Sequence, residues 1–426
     1  MRAVIVGNSA TAVGAIEALR AVDQSAEVLV VSEESHLIYS RPLLSHYLGG
    51  EIDKRRLAYR PSDFYTRHEV TPILETKAVG IDTANRRLLT QGGDAIGYDK
   101  LLIATGGLPI VPPTPGIDTQ GVFSFTRQSD VEGILAYLEA HGGEEAVVVG
   151  GGMIGIKATD ALVKRGIRVT MVELAPRILS VALDSTASRL MTDLLEIAGV
   201  QVLTENTVTE IHSRDGRVHS VTLREGGTIR CDLMVFGIGV RPNTEMIEGS
   251  DIRVNRGIVV DEFMRTSVPD VYAAGDVAEA YDLVVDMNRT VAIWPNAYRQ
   301  GAIAGAHMAG IETADAGGVA MNAIEVHGVP AISVGNSSLE NDPDHEFLTD
   351  LDERNHRYKR LVLKDNRLVG ATLVGHINRA GIYTGLIRHR IDVGDSRSAL
   401  MNEQFGLLSL PDRYRKHVVK GEGIEV

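Results

Sequence analysis

The stretch "VVVGGGMIGIKATDALVKRGIRVTMVEL", residues 147–174, decides how the chain is read. Its apolar run over 146–149 reads as a strand and the glycines as a tight turn. A helix is expected to about Lys164, then a second strand, Arg168–Val172, ended by Glu173. Gly150, Gly152 and Gly155 suit the tight turn, the close backbone approach to a pyrophosphate and the packing of helix on strand. The first helical turn, which includes Ile154, offers unpaired N–H groups and a favourable dipole to phosphates. A carboxylate at Glu173 can accept both hydroxyls of an adenosine ribose and would repel a 2′-phosphate. NADH is therefore expected over NADPH.

The N-terminal stretch "RAVIVGNSATAVGAIEALRAVDQSAEVLVVSEE", residues 2–34, repeats that grammar. A strand over 3–6 leads to a turn at Gly7, a helix to about Val22, a strand over Glu27–Val31 and an acid at Glu33. Ser9 and Ala12 stand where the second and third glycines would be, and both are small enough to keep much of the close approach. Two such units imply two dinucleotides side by side, the arrangement that suits hydride transfer between them.

At 426 residues the chain should form two to three domains. Its composition, 44% apolar and 23% charged, is that of an ordinary globular protein, and no apolar run is long enough to span a bilayer. The opening "MRAVIVGNSA" enters a strand at once, so no secretory leader and a cytoplasmic location are expected. A net charge of −13 argues against nucleic-acid binding through a global positive field. Basic segments remain at Arg388 and Arg390 and at Arg413, Arg415 and Lys416; they are solvated surface or a docking patch for an acidic partner. Cys231 is the one cysteine, which excludes an intrachain disulfide and a four-cysteine iron–sulfur or zinc site. No metal site is expected, and Cys231 reads as a small core residue at the start of an apolar strand.

"YDKLLIATGGLPIVPPTPG", residues 98–116, is a buried strand ending at Ala104, Thr105 and Gly106, followed by a proline-rich crossover. "DLMVFGIGVRPN", residues 232–243, repeats the pattern with Gly237, Gly239 and Pro242. "VPDVYAAGDVAEA", residues 268–280, ends a strand in Gly275 and Asp276, where the backbone can approach a ligand and the aspartate can accept from ribityl hydroxyls. The fold expected is α/β, with two Rossmann-like, three-layer dinucleotide-binding domains, the second inserted in the first. The expected FAD domain comprises 1–110 and 241–320, the NAD(H) domain 111–240, and a small α+β domain 321–426. Hairpin chemistry at Lys364, Asp365 and Asn366 supports the last of these.

The order of GxSxxA, ATGG, GxGxxG with its acid, GIGVRPN and AAGD resembles the FAD-dependent pyridine-nucleotide oxidoreductases of the two-dinucleotide-domain class. The likeness covers essentially the whole chain. "IYSRPLLSHYLGGE", residues 38–51, is similar to the segment found in NADH–rubredoxin reductases, ferredoxin reductases and nitrite-reductase flavin domains. The resemblance implies FAD along Gly7, Ser9, Ala10, Thr11, Ala12 and Glu33, with Arg41 and Pro42 beside it. It also implies contacts at Ala104, Thr105, Gly106, Gly275 and Asp276, and a helix that brings Trp294, Pro295 and Gln300 near the flavin ring. NAD(H) contacts are implied at Gly150, Gly152, Ile154, Gly155, Glu173 and Gly239.

Three departures from the family pattern matter. The disulfide and coenzyme A-disulfide reductases carry cysteines near residue 42; this chain has none, so a thiol relay is excluded. His46 stands where ferredoxin reductases often carry lysine. Lys157 replaces a glutamate that lies near the nicotinamide in many relatives, and a cation there would stabilise a reduced, anionic flavin.

The implied chemistry is hydride transfer between nicotinamide C4 and flavin N5, with electrons exchanged with an iron–sulfur protein or subunit of the ferredoxin or rubredoxin kind. A narrower expectation is the NADH-coupled flavoprotein of a multisubunit 2-oxoacid oxidoreductase such as phenylglyoxylate dehydrogenase, with an oligomer or complex as the working form. The alternatives are a free NADH oxidase or small-molecule reductase, and a non-catalytic NADH-sensing flavoprotein.

Overall fold

The structure is a computed structural model that describes residues 1–406, 409 and 410. It divides into two compact units. One comprises residues 1–113, 121–143 and 235–318; the other comprises 114–120, 144–234 and the described residues from 319 on.

The first unit is built on a parallel sheet in the order Val271–Ala273, Lys100–Ile103, Arg2–Val6, Glu27–Val31, Val70–Ile73. The apolar runs "AVIV", "VLVV" and "LLI" are buried along their length, as expected of strands covered on both faces. The edge strand Val271–Ala273 follows residues 144–234 in the chain, so the second Rossmann-like unit is inserted in the first.

Helix Ala10–Val22 starts where the apolar period begins, and it packs on helix Trp294–Met308. Small residues let the two backbones touch. A Cβ on Gly14 would stand 2.1 Å from the Tyr298 carbonyl oxygen, and one on Gly305 would stand 2.2 Å from that of Ala15. Pro295 occupies the first turn of the second helix, where a missing N–H costs nothing.

In the second unit strands Gln201–Leu203, Arg168–Val172 and Glu145–Val149 lie side by side in that order and pair parallel. Helix Met153–Lys164 connects Glu145–Val149 to Arg168–Val172. Cys231 is fully buried, but it lies in the connection two residues ahead of strand Leu233–Phe236 rather than within it. From residue 321 on, five antiparallel strands pair in the order Met321–Val326, Val329–Gly335, Arg367–Val374, Arg357–Lys364, Glu346–Asp352, joined by helix Ala380–Arg388. Asp365 and Asn366 turn the hairpin with φ of 50° and 59°, the left-handed pair that a tight two-residue turn requires.

Among the described residues no helix is long and apolar enough to cross a membrane, and no group of three or more His, Cys, Asp or Glu is arranged to hold a metal ion.

Candidate functional site

In the first unit the chain leaves strand Arg2–Val6 at Gly7, whose φ is 116°. A Cβ there would lie 2.1 Å from the Ala104 carbonyl oxygen, so the turn is open to glycine alone. Asn8 is braced on both sides: its amide donates to the His36 carbonyl at 3.2 Å, and its oxygen accepts from the Tyr65 hydroxyl at 2.5 Å. Ser9 is the N-cap of helix Ala10–Val22, with Ala10, Thr11 and Ala12 buried in its first turn.

Gly275, with φ of 80°, closes on the same helix. A Cβ there would meet Thr11 Oγ1 at 2.3 Å, and the Gly275 N–H donates to Gln300 Oε1 at 2.8 Å. Thr105 Oγ1 donates to the Asn243 carbonyl at 2.7 Å, and Gly106, with φ of 68°, accepts from the Asn243 N–H at 2.9 Å. Gly7, Thr11, Ala104, Gly275 and Gln300, separated by up to 293 positions in sequence, are thus brought into one cradle.

A charged cluster adjoins it. Arg41 and Pro42 open the short turn Arg41–Leu43. The Arg41 guanidinium pairs with Glu34 Oε1 at 2.6 Å, donates to the Thr126 carbonyl at 2.6 Å and lies over the Tyr39 ring. The Tyr39 hydroxyl donates to Glu34 Oε2 at 2.7 Å. Burial by itself would raise the Glu34 carboxyl, but Arg41 and the Tyr39 hydrogen bond outweigh it and hold it below the usual carboxylate range. Burial pushes the Asp276 carboxyl up, against the opposing charge of Arg41. Glu33 pairs with Arg127 at 2.5 Å.

In the second unit Gly150 repeats the Gly7 geometry, with φ of 111° and its N–H donating to the Val172 carbonyl at 2.8 Å. Gly152 caps helix Met153–Lys164, Ile154 lies in its first turn and Gly155 is buried. Glu173 curls back onto this turn. One carboxylate oxygen accepts from the Gly151 N–H and the other from the Ala175 N–H at 2.6 Å. Lys157 lies half-buried on the same helix.

Several expected residues stand outside these two clusters. Gly239, with φ of 106°, belongs to the first unit, where its carbonyl accepts from the Ile110 N–H. Trp294 begins its helix and meets the Tyr59 ring edge-on at 4.9 Å. His46 pairs with Glu51 at 2.6 Å. Arg388 and Arg390 are exposed at the end of helix Ala380–Arg388, while Arg413, Arg415 and Lys416 lie outside the described residues.

Sequence reasoning missed Glu34 and Arg127. The doubled acid at 33 and 34 was a usable signal, because two adjacent carboxylates leaving a buried strand call for cations. Nothing local marks Arg127 as one of them, since it arrives from 94 residues away at the N-cap of helix Gln128–His141.

The pyridine nucleotide-disulphide oxidoreductase family matches residues 1–301, and the rubredoxin NAD+ reductase C-terminal domain matches residues 321–391. The chain is 33% identical over 399 residues to nitrite reductase [NAD(P)H] of Bacillus subtilis (strain 168), an alignment covering 92% of this chain and 48% of that protein. It is 32% identical over 399 residues to the NADH-dependent phenylglyoxylate dehydrogenase subunit epsilon of Aromatoleum evansii, covering 92% of this chain and 93% of that subunit. This chain therefore spans about half of the nitrite reductase and nearly all of the epsilon subunit. Among solved structures, a ferredoxin reductase from Rhodopseudomonas palustris superposes with a TM-score of 0.85 at 25% identity, covering 94% of this chain and 97% of that one. The chain belongs to the pyridine nucleotide-disulphide oxidoreductase family, whose members use FAD and NAD(H), and within it to the rubredoxin-reductase-like branch.

Proposed function

We propose that this protein moves electrons between NAD(H) and an iron–sulfur protein or subunit by way of bound FAD. The observation that carries the reading is the pair of positive-φ glycine turns, at Gly7 and Gly150, each at the end of a buried parallel strand and each followed by a helix.

The first cradle fits FAD. Glycine at 7 and 275 lets the turn close on Ala104 and on Thr11, and the first turn of helix Ala10–Val22, with Ala10, Thr11 and Ala12, would offer its free backbone N–H groups to a pyrophosphate. Asp276 would accept from ribityl hydroxyls, Glu33 from the adenosine ribose, and Arg41 would lie beside the cofactor. Bound FAD supplies the change from a two-electron donor to one-electron steps. The second turn, with Gly150, Gly152 and Gly155, would hold the NADH pyrophosphate, and Glu173 the adenosine ribose. The protein's part is alignment rather than acid–base chemistry, because hydride transfer between stacked rings needs no proton donor. Lys157 would place a cation near the nicotinamide.

The acceptor would lie outside these 426 residues, since one cysteine cannot hold a four-cysteine cluster. The narrower form of the proposal is the NADH-coupled flavoprotein of a multisubunit 2-oxoacid oxidoreductase, supported by the near-complete span of the epsilon subunit. Anaerobic mixing with NADH should bleach one flavin per chain, and the reduced protein should then reduce a rubredoxin or ferredoxin. Iron–sulfur polypeptides should copurify with it from its own cells. A flavin that bleaches but reoxidises only with oxygen would overturn the carrier reading in favour of an oxidase.

A further inference from the structure

The loop that follows Glu173 carries one cation, Arg177, in the run "ELAPRILSVALD" over residues 173–184. Its neighbours sit on the glycine turn. Ile178 Cγ2 lies 2.8 Å from where a Cβ on Gly151 would stand, a Glu173 carboxylate oxygen lies 3.1 Å from the same point, and the Leu179 N–H donates to the Gly151 carbonyl at 2.8 Å. Arg177 thus stands four positions after the carboxylate that would contact the adenosine ribose, and the residue next to it packs on the same glycine as that carboxylate. An arginine so placed is the group that would recognise a ribose 2′-phosphate, because its planar fork matches phosphate oxygens.

Arg177 is engaged elsewhere. Its Nη2 lies 3.6 Å from Glu340 Oε1, and its Nε is buried with no hydrogen-bond partner among the described residues. Glu340 comes from the segment that follows strand Val329–Gly335, and the same carboxylate oxygen accepts from the Ser185 N–H at 2.6 Å. That segment is fastened to the loop at two more points. Ser337 Oγ donates to the Ala182 carbonyl at 2.8 Å, and the buried Arg360 donates to the Ser337 and Leu339 carbonyls while standing 3.7 Å from Asp184. The Glu340 carboxylate is thus held in place from both sides of the contact. Its hold on Arg177 is the weak link, since both side chains are about one-third exposed, at 29% and 35%.

We propose that Glu340 is a specificity-determining residue for the dinucleotide: by pairing with Arg177 it keeps the loop's single cation from a ribose 2′-phosphate. Glu173 and Glu340 then refuse NADPH in two different ways, one by direct repulsion and the other by occupying the cation a 2′-phosphate would need. The inference rests on reading Glu173 as the ribose acid. It adds to that reading a residue more than 160 positions away, in the part of the chain that matches the rubredoxin reductase C-terminal domain.

The test uses the FAD-loaded protein and measures flavin reduction by NADH and NADPH, together with competition by 5′-AMP and 2′,5′-ADP. Glu340→Gln and Glu340→Ala should raise the NADPH to NADH ratio of kcat/KM by about tenfold, the scale of one recovered charge-assisted hydrogen bond to phosphate. They should tighten 2′,5′-ADP and leave 5′-AMP unchanged, a difference that general loosening of the loop would not produce. Adding Arg177→Met to Glu340→Ala should abolish the gain. Glu173→Ala, measured alongside, keeps the two layers apart. A raised KM for NADH in Glu173→Ala together with an unchanged ratio in both Glu340 variants would overturn the role of Glu340 alone. An unchanged KM for NADH in Glu173→Ala would overturn the ribose reading and this proposal with it. Retained FAD content together with an unchanged KM for NADH in the Glu340 variants establishes that both units are folded.

Discussion

Gly301 lies against Thr11 so closely that a Cβ on the glycine would stand 2.1 Å from the threonine carbonyl oxygen. The contact belongs to the crossing of helices Ala10–Val22 and Trp294–Met308, and it lies next to Gly275, whose own Cβ would strike Thr11 Oγ1. Backbone cannot yield as a side-chain tip can. Gly301→Ala should force the helices apart, cost about 1–3 kcal/mol and shed FAD. Thermal unfolding and the flavin-to-protein ratio after gel filtration check this, and a variant with full flavin and an unchanged midpoint would contradict it.

Gly152 presents the opposite case. Its φ is −81°, and among the described residues nothing lies within 4 Å of an added Cβ. Gly152→Ala should keep stability within about 1 kcal/mol, since a poorer N-cap and a less flexible unfolded chain offset each other. The methyl would instead meet the pyrophosphate, so KM for NADH should rise by at least about tenfold, equivalent to roughly 1.4 kcal/mol. Steady-state kinetics beside a melting curve separates the two effects.

Cys231 is fully buried, and burial, with Asp232 and Glu145 adding to it, pushes its thiol up to about 12. A thiolate is the reactive form, so iodoacetamide at pH 8 should leave the folded protein unmodified and react only after denaturation. NADH oxidation with an artificial one-electron acceptor should be unaffected by that treatment. Stoichiometric labelling of the active protein would contradict the thiol-free reading.

The Glu34 carboxyl titrates below its ordinary value when folded, because Arg41 and Tyr39 outweigh the effect of burial. A depressed carboxylate contributes stability that is fully present above the unfolded-state value, roughly pH 4.3, and is lost as pH falls through the folded value. Arg41→Gln removes the cation and leaves Glu34 buried, so its carboxyl should rise. Acid-induced loss of flavin fluorescence quenching should then begin at higher pH than in the wild type. An unshifted acid midpoint would show that Arg41 is not what holds Glu34 charged.

Arg388 and Arg390 are exposed on a chain whose net charge is −13. Reversing both to Glu should slow electron transfer to an acidic iron–sulfur partner and flatten its dependence on salt, while flavin reduction by NADH stays the same. If the partner is a permanent subunit, the same change should appear as altered complex size on gel filtration rather than altered rate.

Local patterns along the chain were enough for the α/β class, the two strand–turn–helix–strand units, their order and the hairpin at Asp365 and Asn366. These features are local: an apolar run, a glycine where φ must be positive and an acid a fixed distance on all fall within about thirty residues, so spacing alone exposes them. Which side chains meet became visible only in the folded chain. Gln300 reaches the Gly275 N–H, Arg127 reaches Glu33 across 94 positions, and Glu340 reaches Arg177 from beyond the second sheet. Such pairs depend on where the chain crosses itself, and that is set by the packing of whole helices, such as the backbone contact of Gly301 with Thr11. A charged residue at a helix N-cap or in a loop reads the same in sequence whether it faces water or a carboxylate brought from far along the chain.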